Sequence, residues 1–306
     1  MSPIPSSAAR ALAAALVALA LGPAAVLAQP AEPAYLGAAR PRGVPARVIS
    51  LAPNLTEVLF ALGAGGRVVG VTRYDDHPPE VLSLPRVGGF TDPSLEAILA
   101  LRPDLVLCVP NAGNRQTMET VGRLGVPVLV LPAETLEDVF LAISTLGNAL
   151  DRRPAAAALA ADMRRRVAAV QARVRGRTRP AVLLVYGHRP LIGAGAQTFA
   201  DALIELAGGR NVLAGSAIRY PSLPMEEVLR LAPEVILDAS MSAPASDAAL
   251  AGWARFSVLP AVRDRRIHVV DSALWFRPGP RIVLGLEEMA RLLHPDAGWG
   301  PLPAGD

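Results

Sequence analysis

One cysteine serves a chain of 306 residues, Cys108, inside the apolar run DLVLCV. A lone thiol cannot close an internal disulfide, and its apolar setting gives no sign of reactive chemistry. Histidine is nearly as scarce. His77, His188, His268 and His294 lie in different segments, without H-E-x-x-H or the close spacing of a recognisable zinc site, so no metal is assigned. His268 alternates with apolar neighbours and reads as structural, and His294 falls near the end of the last helix. His77 and His188 lie near loop boundaries and are the better ligand candidates. Neither a P-loop nor a G-x-S-x-G elbow occurs. The GAGG at 63–66 follows a helix and has Val68 where a third glycine is needed, which excludes a dinucleotide loop. Massed charge is missing too. The net charge is +3, with basic and acidic residues interspersed, which argues against nucleic acid as a partner.

The one long apolar run lies at the start. Residues 1–28 carry Arg10, then ALAAALVALALG and PAAVLA, the order and size of a signal peptide cleaved after Ala28. Its removal takes one basic residue and no acidic one, leaving a balanced, exported, soluble chain. Residues 29–45, rich in proline and arginine, read as a flexible leader. From 46 to 150 short apolar strands (RVISL, VVGVT, DLVLCV, VPVLVLP) alternate with helical periods (NLTEVLFALGAG, DPSLEAILALRP, RQTMETVGRLG), with Asn54 and Asp92 as candidate caps and Gly63 as a stop. That is the pattern of an α/β lobe on a mostly parallel sheet.

Between 151 and 176 the pattern changes to one long helix, with Leu159, Met163, Val167, Val170 and Val174 on a single stripe. A helix that long is able to join two domains. From 177 to 296 strands (AVLLVYG, EVILDAS, RIHVVDS) and helices resume as a second α/β lobe, and 297–306 read as a flexible tail. One piece repeats in register: LEAILALRPDLVL from Leu95 and MEEVLRLAPEVIL from Met225 align Glu96 with Glu226 and Pro103 with Pro233. The fold expected is α/β, two Rossmann-like lobes joined by a single long backbone helix with a ligand cleft between them.

Aromatics make up only 4% of the chain, so their placement carries information. Tyr74, Phe90, Tyr186, Tyr220, Trp275 and Phe276 fall at strand ends or adjacent loops. Opposed lobes would bring such rings around a large organic ligand, with Arg219 and Arg277 at its polar edge. In ALWFRPGPR, residues 273–281, the prolines stiffen a loop that carries Trp275, Phe276 and Arg277, while Arg281 reads as support. Asp75, Asp76, Asp92 and Asp271 lie nearby but form no acid/base pair in sequence, so no catalytic residue is assigned.

These stretches also resemble a known family. RVISLAPNLTEVLFALGAGGRVVGVTRYDDHPPE, LPRVGGFTDPSLEAILALRPDLVL, IELAGGRNVL and LWFRPGPRIVLGLEEMARLL are similar to the exported vitamin B12-binding, or cobalamin-type iron-chelate, substrate-binding proteins of ABC importers, over about residues 46–295. The resemblance implies capture of cobalamin or a related corrinoid, and delivery by a monomer to a permease dimer with its ATPase. Haem and ferric siderophores are alternative ligands of the same class, and an exported enzyme or non-transport module is the alternative outside it. It places Tyr74, Phe90, Tyr220, Trp275 and Phe276 in the ligand walls, to which Tyr186, His188 and Arg277 are added. Val109 stands where one cobalamin binder has tryptophan, and Leu274 where an acid contacts ligand. Glu96 and Glu226 match lobe-surface glutamates that pair with permease arginines.

Overall fold

The computed structural model describes residues 32–240, 246–270 and 272–300. The expected signal peptide at 1–28, and the ends of the expected leader and tail, lie outside them.

The first lobe is built on strands β1 (Ala34–Leu36), β2 (Val48–Ser50), β3 (Val68–Gly70), β4 (Leu105–Cys108) and β5 (Val128–Val130), in the order β1-β5-β4-β2-β3. Pairing is parallel throughout except for β1, which runs antiparallel against β5. The described part of the expected leader therefore supplies an edge strand. Three residues with Gly37 behind them show no alternation, so the sequence carries no strand signal there. β2, β4 and β5 are buried on both faces, as near-continuous apolar runs require in a parallel sheet covered by helices.

Helices fill the crossovers. α1 (Pro53–Ala61) begins with proline in its first turn, and Gly63 ends it at φ +69°, a conformation that favours glycine. Asn54 does not cap this helix; it lies within the first turn and is put to another use. α2 (Leu95–Ala100) is capped by Ser94, whose Oγ accepts from Ala97 N at 3.2 Å, and not by Asp92. After α3 (Arg115–Arg123), α4 (Leu136–Ala149) opens on a capping box between Thr135 and Asp138.

The long helix α5 spans Arg153–Val174, 22 residues, or about 33 Å at 1.5 Å per residue. Met163, Val170 and Val174 of the expected stripe are buried, joined by Ala156 and Ala160. The second lobe comprises β6 (Ala181–His188), β7 (Leu191–Gly193), α6 (Phe199–Leu206), β8 (Arg210–Asn211), α7 (Met225–Leu231), β9 (Val235–Asp238), α8 (Ser246–Ala254), α9 (Pro260–Arg263), β10 (Ile267–Val269), α10 (Ser272–Phe276) and α11 (Ile282–Leu293). Its sheet runs β10-β9-β6-β7, with β8 also paired to β6. One apolar cluster extends from Val48 through α5 to Leu293, so both lobes and the connecting helix share a core. The start of the expected tail joins it: Ala297 is buried, and Trp299 donates from Nε1 to His294 O at 2.7 Å.

The repeat is structural as well as sequential. β4 and β9 occupy equivalent positions 130 residues apart. Before each strand Arg102 and Ala232 take left-handed backbones, φ 46° and 44°, ahead of Pro103 and Pro233. Asp104 then accepts from Ala46 N and Arg47 N at 2.8 and 2.9 Å, and Glu234 accepts from Ala181 N at 2.6 Å. In each lobe a carboxylate on the strand entry thus clamps the backbone entering the neighbouring strand.

Across the core, Arg166 of α5 grips Glu287 of α11 with both arms, Nε to Oε1 at 2.7 Å and Nη2 to Oε2 at 2.9 Å. Only 24% and 15% of these side chains is exposed, and losing one partner of such a buried pair costs about 3–5 kcal/mol. Denaturant unfolding of Arg166→Ala should show a loss near the lower end of that range. The double variant Arg166→Met/Glu287→Met should recover most of it, because neither charge is then left uncompensated.

Candidate functional site

The sites of open α/β sheets lie beyond the carboxyl ends of the strands, and the aromatic residues gather there. After β3 the chain turns at Asp75, which is buried and accepts from Thr72 N at 2.9 Å and Thr72 Oγ1 at 2.5 Å. Arg86 ties the same turn by donating to the carbonyls of Thr72 and Asp75 at 2.8 and 3.0 Å. Burial pushes the Asp75 carboxyl up, against hydrogen bonds from Thr56 and Thr72. This anchored turn presents Tyr74, 51% exposed, on the first lobe's rim. Gly89 passes beside the Tyr74 ring, where a Cβ would come within 3.1 Å of it. Next to it Phe90 is half-buried, its carbonyl accepting from Asn114 Nδ2 at 2.8 Å.

On the second lobe Tyr186, near the end of β6, meets Tyr220 and Phe276 edge-on, with centroids 5.7 and 5.1 Å apart. Burial raises the Tyr186 phenol above its ordinary pKa, so it remains neutral. Tyr220 is 50% exposed, leaving ring surface open to a ligand. At the strand's last residue, His188 Nε2 lies 2.8 Å from Asp238 Oδ2, with the His188 side chain 35% exposed and Asp238 wholly buried. Trp253 Nε1 donates to the same oxygen at 3.0 Å, and Ser240 N to Oδ1 at 3.1 Å. The carboxylate fixes the imidazole through Nε2 and leaves Nδ1 as the nitrogen it does not engage.

Among the described residues ionic links cross between the lobes in two places, and they differ in burial. Glu57 of α1, its side chain 3% exposed, receives Arg277 Nη1 at 2.9 Å, Arg281 Nη2 at 2.7 Å and Arg281 Nε at 3.1 Å. Arg277 Nη1 also reaches Asp76 at 2.6 Å, and Asn54 Nδ2 donates to Pro278 O at 3.3 Å. Arg277 holds the Asp76 carboxyl below the usual range. A depressed carboxyl contributes stability above its unfolded value, about 3.9, and that contribution is lost as pH falls through the folded one. The second link, Arg219 Nη2 to Glu134 Oε2 at 2.6 Å, leaves 43% and 47% of its side chains exposed. Exposed pairs of this kind contribute about 0.2–1 kcal/mol.

Two expectations change. Trp275 is wholly buried, its Nε1 donating to Glu288 Oε2 at 2.8 Å, while Gly285 lets α11 pack on the Trp275 backbone. It backs the wall and offers no ring face to the cleft; Phe276 beside it is half-buried. Arg277 has 14% exposure and is committed to Glu57 and Asp76, so it braces the loop instead of presenting a free ligand contact. Arg281 is a support, as its place in the loop implied. Glu96 and Glu226 are exposed in the first turns of α2 and α7, while Glu227 is paired with Arg230 at 2.6 Å. His294 is buried against Gly208 O, and burial lowers the pKa of His268. Burial also pushes the Cys108 thiol up to about 12, consistent with an inert thiol. Glu57, Glu134 and Asp238 escaped sequence reasoning. Asp238 alone left a signal, an acid closing the apolar strand VILD. Among the described residues no group of three or more His, Cys, Asp or Glu could hold a metal ion. No helix there is long and apolar enough to cross a membrane.

Trp275→Ala should therefore lower stability by about 3–5 kcal/mol, the range for emptying a large aromatic core site. Tyr220→Ala, at a half-exposed position, should shift the denaturation midpoint little. Parallel urea titrations check both; equal losses would contradict the distinction between brace and wall.

Two α/β lobes on one helix, with aromatic rims at their strand ends, have the architecture of a two-lobed binding protein. The chain belongs to the periplasmic binding protein family, whose model matches residues 48–274. It is 30% identical over 243 residues to the vitamin B12-binding protein of Vibrio parahaemolyticus, covering 79% of this chain and 87% of that one. Its structure resembles the periplasmic vitamin B12 binding protein BtuF of Vibrio cholerae, with a TM-score of 0.73, 26% identity and coverage of 84% and 99%. It equally resembles the heme-binding protein BhuT in complex with two hemes, at a TM-score of 0.74, 33% identity and coverage of 82% and 99%. The family and these relatives are binding proteins, and the family's name implies export.

Proposed function

We propose that this protein captures cobalamin or a related corrinoid between its lobes and delivers it to the permease of an ABC importer. The observation that carries this reading is the two aromatic rims, Tyr74 and Phe90 on one lobe and Tyr186, Tyr220 and Phe276 on the other. They supply flat apolar surface at the strand ends of a chain whose relatives include vitamin B12-binding proteins. Stacking surface suits a macrocycle, and the shared core suits a cleft that changes shape little on binding. A haem ligand is the second reading, favoured by His188. Its imidazole is oriented by buried Asp238, the arrangement by which a second-shell carboxylate holds a metal-binding histidine, and haem iron accepts such a nitrogen.

Calorimetric titration of the mature protein with cyanocobalamin should give a one-to-one isotherm, weakened by Tyr220→Ala. Saturable binding of haemin without cobalamin binding would move the assignment to the second reading; absence of both in a folded protein would sink it.

Delivery falls to Glu96 and Glu226, equivalent exposed acids on the two lobes, proposed as handles for permease arginines. Glu227 is already neutralised by Arg230, which leaves Glu226 as the second-lobe handle. Reversing both in E96K/E226K should leave ligand affinity unchanged and abolish most uptake by the reconstituted importer. Normal uptake would remove them from that role.

A further inference from the structure

We infer that Arg219 is the anion anchor of the cleft and that Glu134 is its built-in competitor, a carboxylate of the protein standing where an anionic arm of the ligand will sit. The inference rests on the tetrapyrrole reading above and adds a determinant of ligand selectivity to it. Both partners stand on fixed backbone. Glu134 N and Thr135 N donate to Asp138 Oδ2 at 2.9 Å each, so the capping box of α4 also pins the Glu134 main chain. Opposite it, Gly195 N donates to Arg219 O at 2.7 Å and Gly193 N to Pro221 O at 3.0 Å, which ties the Arg219 segment along β7. Gly195 is required there, because a Cβ would run into the Ile218 carbonyl. Only the two side chains are left to move.

Their surroundings are those of a ligand contact. The Arg219 guanidinium lies 5.9 Å from the centre of the Tyr220 ring, the half-exposed member of the second-lobe wall. Ile218 beside it is 62% exposed. Arg219 is therefore placed to stack with an aromatic surface while its fork donates to oxygen anions, the combination that suits guanidinium better than ammonium. The present occupant of that fork is a carboxylate across the cleft at 2.6 Å. The pair is wet, unlike the buried link at Glu57, so opening it costs little. A ligand with an anionic arm replaces Glu134 on Arg219 and recovers the charge contact. A neutral ligand has no group to replace Glu134 on Arg219 and leaves the pair closed. Glu134 thereby weakens only the ligand whose anionic arm has to displace it.

The phosphodiester of cobalamin and the propionates of haem both present such oxygens, and each has a neutral counterpart at that position, cobinamide and haemin dimethyl ester. Affinities of the four compounds are measured for the wild type, Glu134→Gln and Arg219→Gln, with thermal midpoints as a folding control. Whichever pair the wild type binds, Glu134→Gln should tighten the anionic member about threefold, the scale of an exposed ion pair, and raise its preference over the neutral one. Arg219→Gln should bring the two members to similar affinity. An unchanged preference in both variants would overturn the inference alone, as would equal tightening of both members by Glu134→Gln, which would make the bridge a latch on cleft opening. Binding of none of the four by folded wild type would overturn the ligand reading and this inference with it.

Discussion

A single carboxylate of the first lobe, Glu57, holds two guanidinium groups delivered by the second. Removed from water on α1, it is tolerable only because Arg277 and Arg281 arrive together and divide its lone pairs between them. The loop between α10 and α11 has to be stiff for that to happen, and Pro278 and Pro280 make it so. A Cβ on Gly279 would lie 3.2 Å from Glu57 Oε2 and 3.3 Å from the Asn54 carbonyl, so a side chain there would crowd the loop against the helix. The same loop begins at Phe276, so the ring that meets Tyr186 is set by the charge cluster beneath it. Lobe spacing and the position of the second lobe's aromatic cluster both depend on this one interaction.

Around that fixed point the two lobes are variations on one unit. Each enters its inner strand through a left-handed residue, a proline and a carboxylate that clamps its neighbour, and each carries an exposed glutamate at the start of the preceding helix. The halves diverge where the ligand would sit. The first lobe contributes an anchored turn with Tyr74, the second an aromatic cluster and a histidine held by a buried aspartate. Between them lie one dry link and one wet one. The dry link sets where the lobes stand, and the wet one stands in a ligand's path. The sequence contains no lysine, and the bidentate grip of arginine on carboxylate recurs at Arg166, Arg230, Arg277 and Arg281.

The lobes and the long helix were legible because parallel strands buried on both faces are apolar runs, and because the stripe from Met163 to Val174 has a helical period. The offset of 130 residues was legible for the same reason: local packing repeats local sequence. β1 was not, since three residues on a sheet edge are specified by their partner β5 and not by their own pattern. The aromatic positions at strand ends were readable, but which of them face the cleft was not. Trp275 and Phe276 are adjacent, and only packing against α11 decides that the first is wholly buried and the second only partly. Charge partners were the least legible of all. Glu57 and Arg277 are 220 positions apart, as the cross-lobe bond between them requires, and no local spacing announces such a pair.

The central claim is that Glu57 fixes the separation of the lobes. Spin labels attached to cysteines introduced in E96C/E226C, with the native thiol of Cys108 buried and unreactive, report that separation by double electron–electron resonance. A single narrow distance distribution is expected, moving little when cobalamin is added, and Glu57→Gln in the same background should broaden it and lower the thermal midpoint. A Glu57→Gln protein with the same narrow distribution as its parent would contradict the account.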